Sequence, residues 1–130
     1  MDKMGCETNA INWFEIPVIE MERAKKFYET IFDIQMQPME MPGCLMSVFP
    51  SDSSKGLISG ALVKMDMYEP SAKGVVLYFN ANPDLQLVLD RVEKSGGKIN
   101  MPKTLINPEI GYMAFISDTE GNTVALHSNG

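Results

Sequence analysis

The apolar and polar positions of this chain follow the same order twice. Residues 11–36 are INWFEIPVIEMERAKKFYETIFDIQM, and residues 75–100 are VVLYFNANPDLQLVLDRVEKSGGKIN. In each segment a strand-like run precedes a short turn, an amphipathic stretch with helical spacing and a second strand. The two copies align when Glu20 is matched with Asn82. This repetition predicts a pseudo-symmetric fold whose two halves share a cleft.

The first half is predicted to form one helix and four strands. A helix over 21–32 is indicated by an apolar stripe at helical spacing, which consists of Ala24, Phe27, Tyr28, Ile31 and Phe32. The strands are predicted over 11–18, 34–41, 44–50 and 57–65. Gly60, within the last of them, indicates a bulge or a close approach of the backbone.

The second half is predicted to repeat this order. A strand over 75–81 leads to Asn82 as the helix N-cap and to Pro83 as the first helical residue. Ser95 and the two glycines that follow it end the helix. Three more strands are predicted over 98–103, 111–117 and 122–128, with a loop over 104–111 between the first two.

Together these elements predict an α+β fold. Two tandem β-α-β-β-β modules form a cupped mixed sheet through pairing of their inner strands, with the helices on the convex side and a trough on the concave side. We expect a flexible N-terminal tail over 1–10 and a single domain over 11–130. Within that domain the modules cover about 11–65 and 75–128, and 66–74 links them.

Composition and charge exclude several classes of function. The chain has 130 residues and a net charge of −6, and its lysines and arginines form no cluster, so a nucleic-acid partner is not expected. Its apolar runs are too short to span a membrane, and MDKMGCETNA at the N-terminus lacks the apolar region of a signal peptide. We therefore expect a cytoplasmic protein in which Cys6 and Cys44 are free thiols.

Methionine is unusually frequent. Six of the 11 methionines lie between residues 36 and 67. Methionine fills irregular gaps in protein cores and also forms adaptable binding surfaces. The pattern favours core filling and leaves a ligand-facing role open.

Several segments resemble the vicinal oxygen chelate superfamily, which includes glyoxalase I, bleomycin resistance proteins and extradiol dioxygenases. The resemblance covers about residues 10–128. It is carried by WFEIPVIEMERAKKFYETIF, by EKSGGKI at the end of the second helix, and by DTEGNTVALHS near the C-terminus. The last segment is similar to the family's Asp-Pro-x-Gly-Asn turn, with Thr119 in the place of proline. Small bacterial glyoxalase-related proteins of unassigned reaction are the most similar group.

The resemblance also implies where a metal ion would be bound. Metal-dependent members use one ligand from each of four central strands, usually His, Glu or Gln. The corresponding positions in this chain hold Trp13, Ala61, Val75 and Ala125, none of which can coordinate a divalent cation. We therefore expect neither a metal ion nor another cofactor, and we expect these four residues to line a ligand site instead.

Two polar residues are candidates for catalysis or ligand contact in the trough. His127 lies two positions after Ala125, and Glu15 lies two positions after Trp13, so strand alternation directs both toward the trough. Each could be an acid–base group or a hydrogen-bonding contact. The alternatives are a half-buried strand-end histidine bonded to backbone or water, and a solvated carboxylate at the mouth of the strand.

Three aromatic residues complete the set of predicted ligand contacts. Trp13 and Phe79 offer flat surfaces for stacking on an aromatic or cationic ligand, although core packing is the commoner use of such residues. Tyr112 follows the 104–111 loop, and its hydroxyl is a candidate hydrogen-bond donor at the mouth of the trough.

Three hypotheses for the function follow. The first is a metal-free protein that binds a small organic molecule in the trough. The second is a metal-free isomerase or lyase in which Glu15 or His127 is the base. The third and least favoured is a metal-dependent glyoxalase or dioxygenase with unconventional ligands. The outer strands leave edges that a second subunit could cover, so a homodimer is also considered.

Overall fold

Two four-stranded sheets, one from each half of the chain, form the frame of the protein. The computed structural model describes residues 2–130. The first half contains β1 (Trp13–Pro17), α1 (Met21–Phe32), β2 (Gln37–Met41), β3 (Cys44–Val48) and β4 (Ser59–Lys64). The second half contains β5 (Tyr78–Asn80), α2 (Leu85–Val92), β6 (Lys98–Asn107), β7 (Gly111–Ser117) and β8 (Thr123–Ser128). Within residues 2–130, no helix is long and apolar enough to cross a membrane.

Strand order is the same in the two sheets. The orders are β1-β4-β3-β2 and β5-β8-β7-β6, and only the first pair of each sheet is parallel. The α+β class and the repeated β-α-β-β-β order are therefore confirmed. Pairing of the inner strands into a single sheet is wrong, because each half keeps its own sheet.

Local side-chain and backbone features define the ends of the two helices. Helix α1 buries Ala24, Phe27, Tyr28 and Ile31 and ends at Asp33, whose φ of 52° lies in the left-handed region that Asp tolerates better than most residues. Helix α2 is capped by the carboxylate of Asp84, which accepts a hydrogen bond from the Gln86 N–H. The predicted cap at Asn82 is wrong by two residues.

Aromatic side chains from both halves meet between the sheets and the helices. Phe79 of β5 packs against Phe14 of β1, with the ring centroids 5.8 Å apart and the rings edge to face. It also contacts Tyr28, Phe32 and Phe49 at centroid distances of 5.7, 5.1 and 5.3 Å. This apolar contact buries the interface between the halves.

A turn from the second half provides a polar joint to the first half. Glu120 is buried, and its Oε1 accepts hydrogen bonds from the backbone N–H groups of Ile19 and Glu20 at 2.9 and 2.8 Å. Its Oε2 accepts a hydrogen bond from Arg23 Nε at 2.7 Å. Glu120 thus satisfies backbone donors at the start of α1 that the helix itself cannot satisfy.

Two neighbours of Glu120 strengthen this joint. The Asp118 carboxylate accepts a hydrogen bond of 2.7 Å from the hydroxyl of buried Tyr28. Burial, followed by the charge of Asp118, raises the pKa of Tyr28 well above its usual value, so the hydroxyl stays a donor. Asn122 donates from Nδ2 to the Pro17 carbonyl at 2.8 Å, which fixes the end of β1 against the start of β8.

Two predicted boundaries in the second half are wrong. Strand β5 is limited to three residues, and Val75 lies before it with 99% of its surface exposed. The N–H of Thr123 bonds to the Ser71 carbonyl, and the N–H of Ala125, the next donor of β8 in this direction, bonds to the Leu77 carbonyl. Residues 75 and 76 lie between these two contacts, so β8 offers them no pairing partner. The predicted 104–111 loop is mostly strand, because β6 continues its pairing with β7 as far as Asn107.

Candidate functional site

Strand alternation defines the concave face of the first half. Ile16 belongs to the main hydrophobic cluster and Phe14 packs against it, so Trp13 and Glu15 point to the opposite, concave face. In the parallel pair of β1 and β4, Trp13 registers with Ser59 and Glu15 registers with Ala61. Glu15 therefore lies on the concave side of β1, at one border of this sheet, beside an alanine of β4.

The same geometry recurs in the second half. Tyr78 registers with Ala125, as Glu15 does with Ala61. Glu15 and Tyr78 therefore occupy equivalent positions, and the counterpart of Trp13 is Val76. The sequence alignment that matched Trp13 with Val75 is wrong by one residue, because the connection from β5 to α2 is longer than that from β1 to α1.

The first half of the trough is apolar and rich in sulfur. Met46, Ala61 and Val63 form a buried cluster on this face, and Cys44, Val48 and Met65 pack against it. In the outer strand, Met39 registers with Met46 and Met41 registers with Cys44, and both outer methionines are exposed. We call Met39, Met41, Met46 and Met65 the methionine shelf. The shelf contains both packed and accessible methionines. Core filling and a ligand-facing role, the two uses considered for methionine, are therefore compatible with each other here.

Glu15 is held in place by two aromatic residues. Its Oε2 accepts a hydrogen bond from Trp13 Nε1 at 3.2 Å, and its Oε1 accepts one from the hydroxyl of Tyr68 in the linker. The hydrogen bond and charge of Glu15 raise the pKa of Tyr68, which keeps the phenol protonated. No Lys, Arg or His nitrogen within residues 2–130 forms an ion pair with Glu15.

The second half of the trough is more polar. His127 registers with Asn80 of β5, and its Nε2 lies 2.7 Å from the Ile110 carbonyl oxygen. A carbonyl can only accept, so Nε2 carries the proton and Nδ1 remains available to another partner. The adjoining cavity has a volume of about 550 Å³, and among its lining residues are Tyr78, Asn80, Ile106, Ile110, Met113 and His127.

Two predicted ligand contacts lie on the other side of their strands. Phe79 belongs to the aromatic packing described above, so its ring faces the helices. Tyr112 packs against the same main cluster, and Lys103 Nζ lies 4.4 Å from its ring centroid. Strand alternation directs Tyr78 and Met113 to the concave face in their place. Both rings therefore pack toward the main cluster, but Phe79 also lines the cavity beside His127, and the assignment of the two residues as ligand contacts stays a prediction.

The four residues in matching register on the concave faces of the two sheets do not fit a divalent metal ion. The set in matching register consists of Glu15, Ala61, Tyr78 and Ala125, which contains a single carboxylate and two methyl groups. Zinc, nickel, iron or magnesium would require several nitrogen, oxygen or sulfur ligands converging on one point. Over residues 2–130, no three His, Cys, Asp or Glu side chains converge in such a way.

Comparison with known proteins agrees with the geometry of the fold. Residues 10–126 match the family model described as Glyoxalase/Bleomycin resistance protein/Dioxygenase superfamily. A glyoxylase-like domain-containing protein from Didymella fabae is 31% identical over 119 residues, which cover 89% of this chain and 91% of that protein.

Solved structures share the fold at lower sequence identity. A glyoxylase/bleomycin resistance protein/dioxygenase domain from Frankia sp. EAN1pec gives a TM-score of 0.71 at 14% identity, with 94% of this chain and 98% of that chain covered. TnmS3, an antibiotic binding protein from Streptomyces sp. CB03234, gives a TM-score of 0.63 at 19% identity, with 97% and 100% covered. At these identities the likeness concerns the fold alone.

Proposed function

Because this chain belongs to the glyoxalase/bleomycin resistance protein/dioxygenase superfamily, we propose that it binds a small organic molecule in the trough without using a metal ion. The observation that carries the proposal is the central set of Glu15, Ala61, Tyr78 and Ala125, which forms a contact surface and supplies no coordination sphere. The fold is shared with an antibiotic binding protein, which makes binding without turnover a reasonable use of it.

The lining of the trough supports this proposal. Ligand sites are mainly apolar and contain a few polar groups that fix orientation. Here the methionine shelf supplies apolar surface, while Glu15 and His127 supply one acceptor each from opposite halves. A ligand spanning both halves would contact all of these groups. Glu15 and His127 themselves share no hydrogen-bond partner among the residues that the structure describes.

Methionine methyl groups offer a direct test. In protein labelled with ¹³C at the methionine methyls, titration with aromatic compounds of different charge should shift the signals of Met39 and Met46. The signal of Met36 should not move, because this residue is buried in the main cluster and serves as the control. Shifts confined to methionines outside the trough, or no shift with any compound, would contradict binding at this face.

A metal-free enzyme is the second candidate. Glu15 favours it, because an exposed carboxylate without a cationic partner can accept a proton from a bound substrate. Replacement of Glu15 by Gln would then abolish turnover while the ligand still bound. His127 is the alternative base, because its Nε2 donates to the Ile110 carbonyl and its Nδ1 can accept a proton. Equal loss of turnover and affinity, or no turnover with any bound compound, favours the binding protein.

A cytoplasmic location and a homodimer both remain predictions. The outer strand β2 is exposed along its whole length, so this edge is open to a second copy. Sedimentation velocity of the purified chain tests the dimer, and a single species with the mass of one chain would contradict it.

A further inference from the structure

We infer that Glu15, Trp13 and Tyr68 form a recognition site for an organic ammonium or guanidinium group carried on an apolar body. This inference rests on the proposed function, because it specifies the charge of the ligand that the trough would take. It concerns the concave side of β1, where Tyr68 of the linker donates a hydrogen bond to Glu15.

The first support is a carboxylate that lacks a counter-charge. The ion pairs within residues 2–130 involve Arg23 with Glu20 and Glu120, Lys55 with Asp52, and Lys103 with Asp84. Lys73 lines a small cavity together with Glu15, yet the two form no ion pair within 4.0 Å. The negative charge of Glu15, which is exposed on β1, is therefore open to an external cation.

The second support is the way the carboxylate is oriented. A carboxylate has about four lone-pair sites, and the two neutral donors on Glu15 occupy one site on each oxygen. Each oxygen can still accept a hydrogen bond from a ligand. Trp13 and Tyr68 thus fix the direction of the carboxylate without neutralising it, and a bound cation need not displace either of them.

The third support is the aromatic surface beside the charge. Trp13 is 41% exposed and Tyr68 is 37% exposed, so both rings present surface to a ligand that approaches Glu15. The face of an aromatic ring attracts a cation, most strongly in the case of tryptophan. A carboxylate bonded to the polar edges of two such residues, with their aromatic surface beside it, favours a cation over a neutral or anionic group of the same size.

The surroundings determine the rest of the ligand. Ala61 lies beside Glu15, and Val63 and Met46 continue the apolar surface away from it. An inorganic cation would gain nothing from this surface, whereas an amine on an aromatic or aliphatic body would bury apolar area against it. The net charge of −6 also favours the approach of cations.

Fluorescence of Trp13 provides the assay, because it is the single tryptophan of the chain. The full-length protein is titrated at neutral pH with phenethylamine, which is then a cation, with the neutral analogue phenethyl alcohol and with the anion 3-phenylpropionate. We expect phenethylamine to change the fluorescence at the lowest concentration and 3-phenylpropionate at the highest. Added sodium chloride should weaken phenethylamine binding selectively, since it screens exposed charges.

Two variants make the test specific. Replacement of Glu15 by Gln should weaken phenethylamine binding about five- to tenfold and leave phenethyl alcohol nearly unchanged. Glu22→Gln is the matched control: it removes the same charge from the exposed face of α1 and should leave the binding of all three compounds unchanged. Circular dichroism and thermal melting verify that both variants are folded.

The outcomes separate this inference from the proposed function. Equal affinity for the amine and the alcohol, or an unchanged amine affinity in Glu15→Gln, overturns the inferred ligand class. Trough binding would then stand if methionine methyl signals of the shelf still shifted. If none of the three compounds perturbs either Trp13 or the shelf, the inferred class is wrong. If none of the aromatic compounds in the methyl titration shifts a signal of the methionine shelf, the proposed function is overturned as well.

Discussion

Removing the charge of Glu120 should weaken the joint between the two halves. Burial by itself would raise the pKa of this carboxyl, but hydrogen bonds from Arg23, from the Glu20 N–H, from Thr119 and from the Ile19 N–H outweigh it and lower the pKa from 4.5 to about 2. At 1.36 kcal/mol per pKa unit this shift corresponds to roughly 3 kcal/mol of stability. Because Arg23 is 45% exposed and partly screened by solvent, we take this value as an upper bound.

The variant Glu120→Gln tests this contribution to stability at neutral pH. The amide oxygen of Gln can still accept from a backbone N–H of α1, but its NH₂ group meets the guanidinium of Arg23, donor against donor. We expect a loss of about 2–3 kcal/mol in the free energy of unfolding, measured by urea denaturation. Lys55→Gln, which breaks an exposed ion pair of 4.0 Å, should change it by less than about 0.5 kcal/mol.

The pH dependence gives an independent readout. The folded-state pKa of Glu120 is depressed, so its contribution is complete above pH 4.5 and is lost as the pH falls toward about 2. The wild type should lose stability over this interval more steeply than Glu120→Gln. Parallel pH profiles for the two proteins, or a variant within 0.5 kcal/mol of the wild type at neutral pH, would refute the role assigned to the joint.

Three further predictions concern the first half and the trough. Gly60→Ala should destabilise the protein by about 2 kcal/mol or more in urea denaturation, because the new Cβ would overlap the Phe14 carbonyl and ring. Gly5→Ala should be neutral, because its new Cβ would meet only the Lys3 carbonyl oxygen at 3.9 Å, an ordinary contact. In Glu15→Gln the pKa of Tyr68 should fall toward its usual value, since the hydrogen bond and charge of Glu15 raise it; an unchanged ultraviolet pH titration of the tyrosines would count against the pairing. Addition of nickel, zinc, iron or manganese should leave the melting temperature unchanged, and elemental analysis should find no stoichiometric metal. A metal-dependent rise in melting temperature would show that a coordinating site exists.

The order of elements could be predicted from the sequence because it depends on local periodicity. The helical spacing of Ala24, Phe27 and Ile31 places these residues on one buried face, as the structure confirms. Gly60 was expected to mark a bulge or a close backbone approach, and the backbone of Phe14 indeed passes directly beside it.

The face of the sheet on which a strand residue lies was harder to predict. Alternation shows that successive residues lie on opposite faces, but it does not show which of them faces the core. The register of β5 depends on where the chain joins β8, and an error of one residue exchanges the core and concave faces. Such an error of one residue places Phe79 on the concave face, where the structure has Tyr78. Val75 was assigned to a strand on its apolar character alone, which does not supply a pairing partner.

Contacts between distant segments left no signal in the sequence. Tyr68 lies in the linker, 53 residues from Glu15, and nothing in DMYEP indicates a hydrogen bond to β1. Glu120 was noted only as part of a turn, whereas its role comes from docking on α1, about 100 residues away. Such roles depend on how the halves pack, which local patterns do not encode.

The outer strand of each sheet carries a proline in its interior, Pro38 in β2 and Pro102 in β6. Proline has no N–H to donate, and the register of β6 also shifts on either side of Pro102. Neither border therefore presents an unbroken row of donors onto which another chain could add strand after strand. The flanks formed by β2 and β6 are therefore poor templates for the addition of further strands, and replacing both prolines with valine should make these two flanks more prone to such addition.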